Sequence, residues 1–223
     1  MKIPLSSRLQ ACCGFVAPGA RVADVGCDHG YLAIYLLTQG IAKSVYASDV
    51  AEGPLQSALK NAVKFGVREK ISFYLSDGVQ NVPRDFDTLV CAGMGGDTMV
   101  SILCAAPWLK SSTYRLVLQC QSKRELLRQY LSENGWHIAN EVVLRDGRFL
   151  YTVMEVVFDP QQPRLTDAQC HFPPAMLVQP TAETEEYFDR VLFSLNRAVQ
   201  NGGDAAKAQI LEELQQWQPF EKS

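Results

Sequence analysis

For its first 159 residues the chain alternates short β-rich runs with helical stretches, and that alternation leaves few folds open. A strand, a helix and a second strand in succession close into a parallel sheet through right-handed crossovers. The pattern predicts strands over 21–25, 44–48, 71–75, 88–92, 115–119, 137–144 and 151–158, with helices near 31–38, 54–65, 98–105 and 123–134. Only RDGRF separates the last two strands, and its Asp146-Gly147 pair is a two-residue hairpin signal. The expectation is an α/β doubly wound sheet of seven strands whose last hairpin is antiparallel.

The periodicity divides the chain into a sheet domain over 1–159, a linker or wrapping segment over 160–180 and a small helical hairpin domain over 181–223. Prolines 160, 163, 173, 174 and 180 forbid a continuous helix or central strand in the middle segment. Beyond it, Tyr187, Val191, Leu195 and Val199, then Ile210, Leu211, Leu214 and Trp217, recur at helical spacing around a Gly202-Gly203 break. These runs predict helices over 183–200 and 204–217.

Several classes are disfavoured. No run approaches the roughly 18 to 20 apolar residues that cross a bilayer, so a soluble, cytoplasmic protein is expected. Seven cysteines, an odd number, lie mostly in apolar runs, and no CxxC or clustered histidine offers a structural metal site. The formal net charge of -3 does not favour nucleic-acid binding. Local basic groups remain: Lys123, Arg124 and Arg128 share one predicted helix, which water alone could equally face, and Arg145 and Arg148 flank the hairpin turn.

The chemistry concentrates at the carboxyl ends of the predicted strands, where doubly wound sheets bind ligands. In VADVGCDHGY the chain runs from a buried strand through Gly26 and Gly30 into a helix, but without the GxGxxG spacing that cradles a pyrophosphate. Such a loop suits a cofactor lacking phosphates, such as S-adenosylmethionine, whose ammonium could pair with Asp24 or Asp28. Asp49 follows Gly26 by 23 residues, near the spacing at which an acid holds ribose hydroxyls. Asp77 and Gly78, after the third strand, suit an adenine amino group. Each acid taken singly could be a turn or cap residue, but three at successive strand ends are harder to dismiss. Gly93, Met94 and Gly95, in CAGMGGD, end the fourth strand where a base could enter edge-on. The Asn/Asp-Pro-Pro-aromatic run of exocyclic-amine methyltransferases is missing there, which favours a ring nitrogen as acceptor.

LSSRL, VADVGCDHGYLAIYL, SDVAEGPLQSA, LSDGV, CAGMGGDTMVSIL, LVLQCQ with LRQYLSENGWHIANE, and FPPAML together resemble, in order and over nearly the whole chain, the bacterial tRNA adenine-N1 methyltransferases acting at position 22, the TrmK family. The resemblance implies a Rossmann-like, seven-stranded methyltransferase sheet with a coiled-coil-like C-terminal helical domain. It further implies S-adenosyl-L-methionine as methyl donor and tRNA as substrate. Two departures stand out: Gln119-Cys120-Gln121 replaces the family's Gln-Pro-Asn, and Asp49 stands where the family usually has Glu.

The expected mechanism is in-line transfer of the sulfonium methyl to adenine N1, catalysed mainly by positioning and electrostatics. Asp28 is expected to stabilise the cationic product and His29 to orient it or touch the base, although His29 could equally bind only the turn backbone. Met94 would pack on base or cofactor, or simply fill core. Arg8 is a phosphate candidate. Rival readings are a methyltransferase acting on a small molecule or protein, a noncatalytic nucleotide or RNA binder, and a nicotinamide oxidoreductase, the last disfavoured by the missing GxGxxG.

Overall fold

A computed structural model describes residues 3–202, 205–217 and 220. Seven strands, β1 (Ala20–Val25), β2 (Ala42–Asp49), β3 (Ile71–Leu75), β4 (Thr88–Met94), β5 (Arg115–Cys120), β6 (Trp136–Asp146) and β7 (Phe149–Phe158), form one sheet in the order β3-β2-β1-β4-β5-β7-β6. The pairings from β3 through β5 are parallel, and β7 runs antiparallel to both β5 and β6. Strand order reverses between β1 and β4, so a crevice must open at their carboxyl ends.

Strands buried on both faces need helices on both, and successive side chains supply the two cores by pointing opposite ways. Val22, Val45, Val90 and Val117 meet Cys12, Leu32, Ile34, Leu36 and Ala58 from α1 (Ser7–Gly14), α2 (Tyr31–Thr38) and α3 (Glu52–Lys64). Their neighbours Ala23, Leu89, Leu116 and Leu118 face the other way, onto Met99, Leu103, Leu127 and Leu131 of α4 (Gly96–Ala105) and α5 (Arg124–Glu133). α1 has no counterpart in the sequence reading. Ser6 makes no side-chain cap, and the buried Cys12 and Cys13 hold the helix by packing it onto the sheet.

The hairpin turn lies one residue beyond the expected position. Asp146 pairs with Phe149, leaving Gly147 and Arg148 as the two-residue loop with Gly147 at φ 60°, the arrangement of a type II′ turn.

The proline-rich segment is shaped and packed rather than loose. It contains α6 (Asp167–His171), closed by a Thr166/Gln169 capping box, and a 3₁₀ turn at Pro174–Leu177. Its Phe172 and Met176 join Tyr187, Phe188 and Leu195 of α7 (Ala182–Gln200), Leu211 and Leu214 of α8 (Ala205–Trp217), and Val143 and Leu150 of the hairpin in a third core. Gly203 and Asp204, part of the predicted break and helix start, lie outside the described residues.

One expectation is overturned. Arg128 does not share an exposed basic face with Lys123 and Arg124, because it is fully buried. Its guanidinium forks onto Glu141 of β6 (Nε to Oε2 3.1 Å, Nη2 to Oε1 2.7 Å) and donates through Nη1 to the Cys170 and His171 carbonyls. The helix turns Leu127, Arg128 and Leu131 inward, and the wrapping segment covers the charge that the sequence left facing water. Burial works against the charged form, but the Glu141 carboxylate more than offsets this and raises the Arg128 pKa.

Candidate active site

Where β1 gives way to α2, the Gly26 and Cys27 amides both donate to the Ser48 carbonyl of β2, at 2.8 and 2.9 Å. The turn is thus fastened to the neighbouring strand. Gly26 (φ 71°) and Asp28 (φ 48°) both lie in the left-handed region, which for a non-glycine residue usually signals a constraint imposed by function or packing. The Asp28 amide donates to Asp49 Oδ2 (3.2 Å), and Asp49 Oδ1 accepts from the Ala51 amide (3.1 Å). One carboxylate at the end of β2 therefore clamps both loops. The exposed Asp28 carboxylate stands 3.6 Å from His29 Nε2, and His29 lies beside the Tyr31 ring, 5.9 Å between centroids.

Asp24, one strand residue before the loop, is only 4% exposed. Burial pushes its pKa up to about 7; the Ala33 amide, which donates to the carboxylate, opposes the rise, and the charge of Asp49 adds to it. Oxygen Oδ2 is buried and has no hydrogen-bond partner. A buried carboxylate oxygen left unpaired is costly, and a cation supplied by a ligand would remove that cost.

Opposite this loop, β4 ends in a bulge. Ala92 pairs with Gln119 and Met94 with Cys120, so Gly93 (φ 85°) has no partner in register. The fully buried Gln119 fills the gap: its Oε1 accepts from the Gly93 amide (3.1 Å) and from Arg8 Nη1 (2.9 Å). A Cβ on Gly93 would approach Arg8 Nη1 to 3.3 Å, and one on Gly26 would fall 2.3 Å from Met94 Cε. The two backbones and the Met94 side chain thus meet closely across the crevice.

Asp24, Gly26, Asp28, His29, Gly93 and Met94 line one cleft of about 250 Å³, together with Arg8 and Tyr31. Asp49 joins them through the Asp28 amide. Asp77 and Gly78 lie farther out, after β3: Asp77 is exposed, and Ser48 Oγ donates to the Gly78 carbonyl (3.1 Å). Gly30, Gly78 and Gly95 each have a packing reason to be glycine, since a Cβ there would come within 2.9 Å of Ala58 Cβ, 3.0 Å of Ile102 Cγ2 and 3.0 Å of Ser122 Oγ respectively. Gln119 as the organiser of the β4 end escaped sequence reasoning, although a glutamine closing the apolar run RLVL was a visible signal.

Neither thiol beside the cleft is a ready nucleophile. Burial raises the Cys27 and Cys91 thiol pKa values, Cys91 to about 12, and the charge of Asp24 adds to both shifts. Among the described residues, no group of His, Cys, Asp or Glu is placed to hold a metal ion, and no helix is long and apolar enough to cross a membrane. The glycine-bearing loop after β1 thus faces the Met94 side chain and the bulged backbone at the end of β4. The sheet order, with its crevice between β1 and β4, is Rossmann-like.

Comparison with known proteins agrees. The methyltransferase-domain family Methyltransf_18 matches residues 5–154, and the chain belongs to it. The chain is 30% identical over 154 residues to the tRNA (adenine(22)-N(1))-methyltransferase of Bacillus subtilis, a match covering 69% of this chain and 65% of the relative. It spans just under two thirds of the length of the curated relatives it matches. Among solved structures, a candidate tRNA (m1A22) methyltransferase of Streptococcus pneumoniae in complex with S-adenosyl-L-methionine superposes with TM-score 0.84 at 28% identity, covering 95% of this chain and 98% of that one. A Streptococcus agalactiae protein of the NADB-Rossmann superfamily gives TM-score 0.81 at 32% identity over 97% and 95% of the two chains.

Proposed function

We propose that the chain is a cytoplasmic, S-adenosylmethionine-dependent tRNA methyltransferase that modifies adenine N1 at position 22. The observation that carries the cofactor assignment is Asp24: a buried carboxylate with one unpaired oxygen, lining a cleft that lacks a phosphate cradle. S-adenosylmethionine fits the donor set, with Asp24 for its ammonium, Asp49 for the ribose hydroxyls and Asp77 for the adenine amino group. When bound, it supplies an electrophilic methyl group on a sulfonium.

The chain's own residues then position the acceptor. Gly93 offers a side-chain-free edge along which a base can approach, and Met94 packs on it from the β1 side. Arg8, held by Gln119, suits a phosphate of the incoming nucleotide. Adenine N1 lies on the Watson-Crick edge, so a paired target must be extruded first, at a cost of a few kcal/mol. Asp28, beside His29, supplies negative charge where the methylated adenine becomes cationic.

Asp28→Asn should therefore lower kcat by about a hundredfold to a thousandfold with little change in KM for tRNA. Asparagine tolerates the left-handed backbone, so the fold should survive. If Asp28 instead holds the cofactor ammonium, the loss will appear as a raised KM for S-adenosylmethionine with kcat preserved. The assignment as a whole is tested by incubating the enzyme with tritiated-methyl cofactor and either bulk tRNA or a small-molecule extract. Label is expected in tRNA, and label only in the extract would overturn the tRNA reading.

A further inference from the structure

Because β7 runs antiparallel to β5, with Leu118 opposite Met154, its first residues lie at the end of the sheet where the cleft opens. β7 is two strands from β4, about 10 Å at ordinary strand spacing. A groove of about 390 Å³ opens there, walled by Arg124 of α5, Phe149 and Leu150 of β7, His171 of α6, and Tyr187 and Arg190 of α7. We propose that this groove docks single-stranded RNA flanking the target nucleotide, taking a backbone phosphate between Arg124 and Arg190 and an unpaired base on Phe149. The proposal rests on the reading of tRNA as substrate and adds where the RNA is held.

Three independent features point to RNA. Phe149 is 50% exposed at the hairpin tip, with the Arg148 guanidinium 4.9 Å from its ring centroid, a cation-aromatic pair of the kind on which bases stack. Arg124 lies 5.8 Å from the Tyr187 ring, and its Nε is buried with no acceptor. A guanidinium donor withheld from water in this way is suited to an anionic oxygen. Arg124 and Arg190 line the groove with Glu125 as the acid in its wall, and Glu186 beside it pairs with both Arg145 and Arg190. This local positive excess, in a chain of net charge -3, complements a polyanion.

The test uses full-length enzyme and transcribed tRNA, with affinity read by fluorescence anisotropy across a salt series. Phe149→Ala should weaken binding about tenfold, the scale of one lost stacked base. Arg190→Ala should reduce the slope of log affinity against log salt by about 1, as expected for one lost phosphate contact. The losses should fall on KM for tRNA rather than kcat, S-adenosylhomocysteine affinity and melting temperature should stay at wild-type values, and Phe149→Tyr should restore binding. Unchanged affinity and salt slope in both alanine variants of an enzyme that methylates tRNA would overturn the groove alone and point to a protein occupant. A wild-type enzyme that neither binds nor methylates tRNA would overturn the functional reading, and the groove with it.

Discussion

Asp24 carries a cost in the fold that the proposed cofactor would relieve. With its pKa raised from 3.8 to about 7, the folded protein retains a proton across that interval that the unfolded chain has released. Stability of the unliganded fold therefore declines as pH rises from about 4 to about 7 and levels off above it. A ligand ammonium favours the ionised form, so affinity should run the opposite way: S-adenosylhomocysteine should bind up to about tenfold more weakly per unit as pH falls below 7. Calorimetric titration between pH 5.5 and 7.5 measures this. Asp24→Asn should flatten the slope, and an unchanged slope would remove Asp24 from the ammonium site. Asp24, Gly26 and Asp28 were legible in the sequence because a strand running into a glycine turn places them together along the chain. Gln119 was not: its role depends on β5 lying beside the β4 bulge, a relation between residues 26 positions apart.

At the scale of elements, the junction of α5, β6, α6 and α7 turns on one buried charge. Tyr187 Oη also lies 3.4 Å from Arg128 Nη2, so a single guanidinium touches three elements besides its own. Removing one partner of a buried ion pair leaves the other uncompensated, so Arg128→Ala should cost about 3 to 5 kcal/mol. Urea unfolding tests this, and a loss below about 1 kcal/mol would show that water reaches Glu141. The sequence suggested a solvated basic face because Lys123, Arg124 and Arg128 share a helix and nothing local reveals the covering chain. The same limit hid α1, whose helicity comes from Cys12 and Cys13 packing against the sheet. The strands of the parallel half, by contrast, were legible in type and close in extent; in β4 and β5 burial on both faces writes itself into near-continuous apolar runs.

At the scale of the molecule, three cores divide the labour. Two sandwich the sheet and fix the crevice between β1 and β4; the third fastens the C-terminal helices to the hairpin at its edge. The residues proposed for the cofactor, Asp24, Asp49 and Asp77, stand at the ends of β1, β2 and β3 and outside the third core, so on this proposal methyl-donor binding is separate from the surface offered to RNA. On the proposed function this cleft transfers a methyl group to adenine N1 of tRNA, and nuclease mapping with mass spectrometry of tRNA incubated with enzyme and S-adenosylmethionine tests it most directly. A gain of one methyl group on the adenosine at position 22, with 1-methyladenosine recovered on digestion to nucleosides, is the predicted result. Methyl appearing on another base, on an exocyclic amine, or on no tRNA nucleoside at all would contradict it.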